Sequence, residues 1–196
     1  MVVPEASEYQ NLEDFMAGWK ADPGGTAIGG GSLGGTDQLV AGLLAKSGDI
    51  QPSDMNYIAY PGGGEALASL LANNVAAGVS GYTEFADQID AGQLRALGLS
   101  AEEPVEGVDV PTFGESGFDN AVLANWRGII APSGLDAAET ETINEILDEM
   151  VASPAWAEAL ERNQWTDAYI SEDEFVTYLD EQSLEVTDLL VELGLL

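Results

Sequence analysis

The stretch Gly29-Gly30-Gly31-Ser32-Leu33-Gly34-Gly35-Thr36 holds the residue types and spacing best suited to chemistry. A short apolar run precedes it and an amphipathic run follows, so it reads as a strand, a glycine loop and a helix start. Such a loop turns several backbone N–H groups toward one point at the positive end of the helix, an anion site that needs no basic side chain. Two enzymatic patterns overlap the same residues. Gly30-Gly31-Ser32-Leu33-Gly34 fits the G-x-S-x-G nucleophile elbow, and Gly29, Gly31 and Gly34 fit the dinucleotide pattern G-x-G-x-x-G. The sequence has no histidine, which removes a Ser-His-Asp triad built on Ser32. No acidic residue stands at the end of the following strand, Tyr57 to Tyr60, and no G-K-[ST] occurs to make a Walker cradle. Three readings remain: a binding module for an anion, an α/β enzyme using the loop for a phosphate or nucleotide, and a tight turn with no ligand.

Charge narrows the choice of partner. The 196 residues carry 35 acidic and 5 basic side chains, a formal net charge of −30, so the surface is a nearly continuous carboxylate field. Nucleic acid and anionic membrane are excluded as partners on that ground, and salt should stabilise the protein by screening. With neither Cys nor His, thiol chemistry, disulfides and the usual zinc, copper and haem ligands are absent. No D-x-D-x-D-G spacing marks a calcium loop, and Glu172-Asp173-Glu174 reads as helix capping, so neither metal nor cofactor is expected. No apolar run reaches the roughly 18 residues of a membrane span. Met1-Val2-Val3-Pro4 lacks the basic and apolar regions of an export signal.

Several elements must position the loop. Asn11 followed by Asp14, with Leu12, Phe15, Met16 and Trp19 at helical spacing, predicts a capped helix stopped by Asp22-Pro23-Gly24-Gly25. Thr26 to Ile28 predicts a strand, and Leu39, Val40, Leu43 and Leu44 mark a helix closed by Gly48. The unit then repeats, with Met55 to Tyr60 as strand, Pro61-Gly62-Gly63-Gly64 as a second glycine loop and Glu65 to Asn73 as helix. A third strand, Val75 to Ser80, enters Gly81-Tyr82-Thr83 and a helix ending near Ala91-Gly92, before a fourth strand, Leu94 to Leu99. This alternation argues for a mostly parallel sheet covered on both faces, with the three loops sharing its carboxyl edge. Ser100 to Gly117, acidic and containing Pro104 and Pro111, predicts an irregular surface connection.

Beyond it Val122 to Ala131 is extended and apolar, and the character then changes to three helices, Asp136 to Ala152, Pro154 to Asn163 and Glu172 to Leu193. A capping box at Ser171 to Glu174 opens the last and Gly194 closes it. Ala168 to Ile170 reads as a short strand between them. The apolar stripes of these helices, Ile143, Ile146, Leu147 and Met150 and then Phe175, Tyr178, Leu179, Leu189 and Leu190, need cover that few strands here supply. A domain boundary is placed near Asn125, dividing residues 1–124 from 125–196. Trp19, Trp126, Trp156 and Trp165 are expected as core or interface aromatics. Arg95 and Arg127, rare cations in apolar settings, are expected to be partly buried and paired with carboxylates.

Five segments, in this order, resemble the solute-binding subunit of tripartite tricarboxylate transporters. They are Gly29 to Thr36 with its helix, Tyr60 to Leu67, Gly92 to Leu97, Val110 to Gly117, and Trp126 to Gly134. The resemblance implies a type II periplasmic-binding-protein fold of two lobes, located outside the cytoplasm. It implies a non-catalytic receptor that captures a small organic di- or tricarboxylate and delivers it to membrane permease subunits. Carried onto this sequence, the ligand residues are Gly30, Gly31, Ser32, Gly34, Gly35 and Thr36, then Tyr60, Gly62, Gly63 and Gly64, and the Ser80-Gly81 edge. Two departures bear on which acid is chosen. Pro61 stands where the family usually has Lys or a similar residue, and Ser80-Gly81 where an Asp is frequent. The family also has a further first-lobe half of about a hundred residues before the segment equivalent to Glu5. Residues 1–124 are thus expected to be the complete second lobe, and residues 125–196 the crossover strand and C-terminal helices of an incomplete first lobe. Exposed stripes on those helices imply self-association.

Overall fold

The computed structural model describes residues 1–163 and 165–196, and of Glu172 and Asp173 the backbone only. It falls into two compact units, 1–125 with 184–196, and 126–183.

The first unit is built on a five-stranded sheet. Its strands are β1 (Val2–Pro4), β2 (Ala27–Gly30), β3 (Asn56–Ala59), β4 (Ala77–Gly78) and β5 (Leu94–Ala96), in the order β3-β2-β4-β1-β5. β2 pairs in parallel with β3, Gly30 opposite Ala59, and with β4, Gly29 opposite Gly78. β1 runs antiparallel between β4 and β5, with Val3 opposite Arg95. The alternating pattern of parallel strands and helices is as the sequence implies, whereas β1 is not expected from it. A three-residue strand ending in proline carries too little periodicity to register.

Helices cover both faces. α1 (Leu12–Ala21) starts at Asn11, whose side chain accepts the Asp14 N–H at 2.7 Å. It packs Leu12, Phe15, Met16 and Trp19 with the buried stripe of α2 (Thr36–Ser47) and with Val3, Ile28, Ala77 and Val79 of the sheet. α3 (Gly63–Leu71) and α4 (Tyr82–Asp90) supply Leu70 and Phe85 to the opposite face, where Val2, Val75 and Leu94 meet them. Neighbouring β1 residues thus serve opposite cores, Val2 one and Val3 the other, as strand alternation requires. The connection 100–117 is not wholly superficial. Leu99 bridges Thr112, and Thr112 and Phe113 are buried, with Phe113 in the larger core. Two inward residues anchor a stretch whose composition otherwise reads as surface.

Residues 121–132 are extended without ladder pairing, so the expected crossover strand is a coil, with Ala121 and Leu123 buried but Ile129 and Ile130 exposed. In the second unit α5 (Ala137–Val151) opens with a capping box between Asp136 and Glu139, and α6 (Pro154–Asn163) follows. α7 (Glu172–Glu192) begins at Ser171, whose N–H and hydroxyl approach the Glu174 carboxylate. The proposed capping role of Glu172 and Asp173 lies outside the described side chains. Residues 165–170 form no strand. Trp126 packs edge-on against Phe175 and Tyr178, with ring centroids 5.6 and 5.7 Å apart. No residue of α5 or α6 is buried. In the first unit, the end of α7 buries Leu189 against the core, beside Gly42.

Candidate functional site

β2 lies between β3 and β4, all three running the same way, so the loops that follow them leave one edge of the sheet. The Tyr60 N–H donates to the Gly30 carbonyl (2.8 Å) and the Val79 N–H to that of Gly29 (2.9 Å), which ties the three loops side by side. The Gly29 to Thr36 loop is the middle one. Each loop then starts a helix, and each of those helices has glycine at its N-cap: Gly35 for α2, Gly62 for α3 and Gly81 for α4. None has a side-chain cap. α1 and α5, elsewhere in the chain, are capped by Asn11 and Asp136. First-turn N–H groups lack the usual partner one turn back; at these three starts no side chain caps them, and the Glu84 N–H of α4 turns to the Gly81 carbonyl at 3.0 Å.

Within the middle loop, several donors are already engaged. The Gly31 N–H donates to Asp37 Oδ2 (2.8 Å), the Gly34 N–H to Gln38 Oε1 (2.7 Å) and the Gly35 N–H to the Ser32 carbonyl (3.0 Å). Tyr57 Oη donates to the Gly31 carbonyl at 2.9 Å. Gly31, Gly34 and Gly35 therefore shape the loop, and the convergence of their N–H groups expected from the sequence is not what the geometry shows. Thr36 and Asp37 sit in the first turn of α2, and Ser32 is exposed. Glycine is required sterically at position 30, where a Cβ would overlap the Tyr57 hydroxyl and come 3.0 Å from the Val79 carbonyl. At position 34 the requirement is conformational, φ being +70°.

In the second loop, α3 begins two residues earlier than the sequence suggests, so Gly63 and Gly64 belong to its first turn. Tyr60 turns its hydroxyl to Ser69 of α3 at 2.5 Å and packs beside Leu70 and Phe85. A Cβ on Gly63 would lie 3.0 Å from Ser80 Oγ and 2.9 Å from Glu84 Oε2, so the second and third loops touch there. Gly64 and Gly81 face open space.

Three side chains at this edge are absent from the sequence-based set: Asp37, Tyr57 and Glu84. Burial holds the Asp37 carboxyl above its ordinary range, against the pull of the Gly31 N–H and the Ser80 hydroxyl, and the Glu84 charge pushes it further up. Burial, with Asp37 close by, raises the Tyr57 phenol far above its usual value, so it stays a donor at physiological pH. Asp37 escapes a sequence reading because an acidic residue in a first turn is ordinary helix chemistry.

The rare cations lie elsewhere. Arg95 pairs with Glu5 at 2.6 Å and donates to the Tyr9 carbonyl, as a partly buried ion pair. Arg127, expected to be partly buried and paired with a carboxylate, is instead exposed and stacks over the Trp165 ring at 4.5 Å.

Comparison with known proteins agrees with this arrangement. Residues 1–195 match the tripartite tricarboxylate transporter family receptor, TctC. Protein BugT of Bordetella pertussis is 31% identical over 154 residues, 78% of this chain and 46% of that protein. A protein in the tcbD-tcbE intergenic region of Pseudomonas sp. strain P51 is 26% identical over 83% of this chain and 48% of its own length. The chain thus spans about half the length of these curated relatives. Among solved structures, a TctC solute-binding protein from Polaromonas superposes with a TM-score of 0.73 at 23% identity, over 99% of this chain and 64% of that one. R. palustris Rpa4515 with adipate superposes at 0.82 and 16% identity, over 98% and 64%. The fold is that of a type II-like periplasmic binding protein, and the chain belongs to the receptor family of the tripartite tricarboxylate transporters.

Proposed function

We propose that this chain supplies one wall of a receptor, outside the cytoplasm, that captures a small organic carboxylate and hands it to the permease subunits of a tripartite tricarboxylate-type transporter. It holds its ligand and transforms nothing. The observation that carries this reading is the set of three glycine-capped helix starts at one sheet edge, in contrast to α1 and α5, which are capped by side chains. Aligned first-turn N–H groups attract a carboxylate without any cation. At −30 net charge the long-range field opposes an anion, so short-range donors and salt screening must prevail. The structural neighbour described with adipate supports the ligand class. Within this reading Ser32, Thr36, Gly62, Gly63, Gly64, Ser80 and Gly81 present the ligand surface, while Gly30, Gly31, Gly34, Gly35 and Tyr60 hold its shape.

Calorimetric titration with adipate, succinate and citrate tests it, expecting saturable binding of at least one acid that weakens when a competing carboxylate is added. Absence of binding to every acid removes the reading.

A further inference from the structure

The last turns of α7 pack along α2 and finish against the glycine loop. Lys46, near the end of α2, pairs with Glu192 at 2.6 Å. A Cβ on Gly42 would come 3.3 Å from Leu189 and 3.5 Å from Leu193, so these leucines cover that side of α2. A Cβ on Gly34 would lie 3.5 Å from Leu190 Cδ2 and 3.9 Å from Leu195 Cδ1, which brings the same tail onto the loop itself.

Leu195 reaches Gly34 because of how the helix ends. Gly194 takes φ +71°. Its N–H donates to the Val191 carbonyl at 3.0 Å, and the Leu195 N–H donates to the Leu190 carbonyl at 2.9 Å. These are the paired bonds of a Schellman turn, which folds the residue after the glycine back beside the one that accepts its N–H. Leu190 and Leu195 are thus brought together, and they meet the left-handed turn at Gly34, where the absent side chain leaves bare backbone.

The two ends of the loop are held differently. Gly31 is fixed by polar groups, between Asp37 and Tyr57. The stretch from Ser32 to Gly35 is closed by bonds from the Gly34 N–H to Gln38 and from the Gly35 N–H to the Ser32 carbonyl, while Ser32 and Leu33 are exposed. A short surface turn with few bonds opens readily, and apolar contact against it reduces the ordering that binding must otherwise supply.

Resting on the receptor reading above, we propose that Leu190 and Leu195 are positioning residues for the ligand loop. The Schellman turn of α7 braces the Gly34 turn, and carboxylate affinity depends on that brace through the loop backbone.

Amide hydrogen exchange of the whole chain, read by NMR, tests the brace. Leu195→Ala should speed exchange at Gly34 and Gly35 about fivefold. The Ala76 N–H, bonded to the Ala27 carbonyl at 2.8 Å where β2 begins, should be unchanged. Gly194→Ala keeps both leucines but strains the turn, and should act in the same way. Leu195→Met should restore slow exchange, and Leu184→Ala, at an exposed position of the same helix, should leave every rate as it was. In calorimetry with succinate or adipate, Leu195→Ala should weaken binding about threefold, and Leu195→Met should recover it. Loop exchange that is unchanged, or that rises equally at Ala76, overturns the proposal, and so does faster loop exchange with unaltered affinity. A wild type silent toward every acid removes the receptor reading, and the exchange comparison alone then decides the brace.

Discussion

The Asp37 carboxylate and the Gly31 N–H meet at 2.8 Å across a loop of five residues, and the Tyr57 hydroxyl holds the Gly31 carbonyl from the other side. Both polar groups of one glycine are thereby fixed by side chains from different elements, α2 and β3. A loop that would otherwise sample many conformations is held in one before ligand arrives, which lowers the ordering cost of binding.

That contact is pH-dependent. The folded Asp37 carboxyl binds its proton more tightly than the free group of pKa 3.8, mainly because it is buried and partly because Glu84 faces it. The Met1 amino group also interacts with it, but burial holds that group at about 5, so it is largely uncharged at neutral pH. A raised acid pKa favours the folded state at low pH, and this contribution is lost as pH rises through the folded value. The thermal midpoint of Asp37→Asn should therefore exceed that of the wild type at pH 7 and converge with it near pH 3. Melts at pH 3, 5 and 7 check this, and a variant less stable than wild type at pH 7 contradicts it.

Gly30 and Gly64 separate steric need from open space. Gly30→Ala drives a methyl into the Tyr57 hydroxyl and the Val79 carbonyl, at a cost of about 1–3 kcal/mol. Gly64→Ala places the same methyl in a helical first turn with nothing within 4 Å, and should gain roughly 0.5 kcal/mol. Urea unfolding measures both, and the two changes should have opposite signs.

Gly81 tests whether an uncapped helix start serves the ligand. Gly81→Asp gives α4 a capping side chain in open space and should stabilise the fold by a few tenths of a kcal/mol. The new carboxylate competes for the same donors, so carboxylate affinity should fall about tenfold. A variant that gains stability and keeps full affinity would show that the α4 start takes no part in binding.

The helices of the second unit bear on solution behaviour. Ile146 (59%) and Val176 (55%) are exposed on them and Ile129 (61%) on the coil before them, and exposed apolar surface of this kind favours association. With −30 net charge the association should strengthen as salt screens repulsion, over a range where the Debye length falls from about 10 Å at 0.1 M to about 3 Å at 1 M. Light scattering at micromolar concentration across that range should show rising mass. A constant monomer mass would rule the association out.

Legibility varied with the kind of signal. Asn11, Gly48, Asp136 and Ser171 mark helix ends that the structure places within a residue or two, because capping is local chemistry visible in four or five residues. The strand–loop–helix repeats are equally plain, as is the single edge the loops share. What is hidden depends on distant parts of the chain. β1 is a strand only because β4 and β5 flank it, and Phe113 is buried only because Gly98 leaves room for its ring. The free N–H groups assigned to Gly31, Gly34 and Gly35 are engaged because Asp37 and Gln38 turn back toward the loop. Spacing alone gives no direction to those side chains.

The antiparallel strand Val2–Pro4 has a further consequence, for the order of assembly. It pairs with Gly78 on one side and with Leu94 to Ala96 on the other, both far along the sequence from it. Until β1 docks, β5 has no neighbour and the sheet stays in two parts. Contacts of such long sequence separation slow folding, so β2, β3 and β4, joined by short local crossovers, form a platform that β1 and β5 complete last.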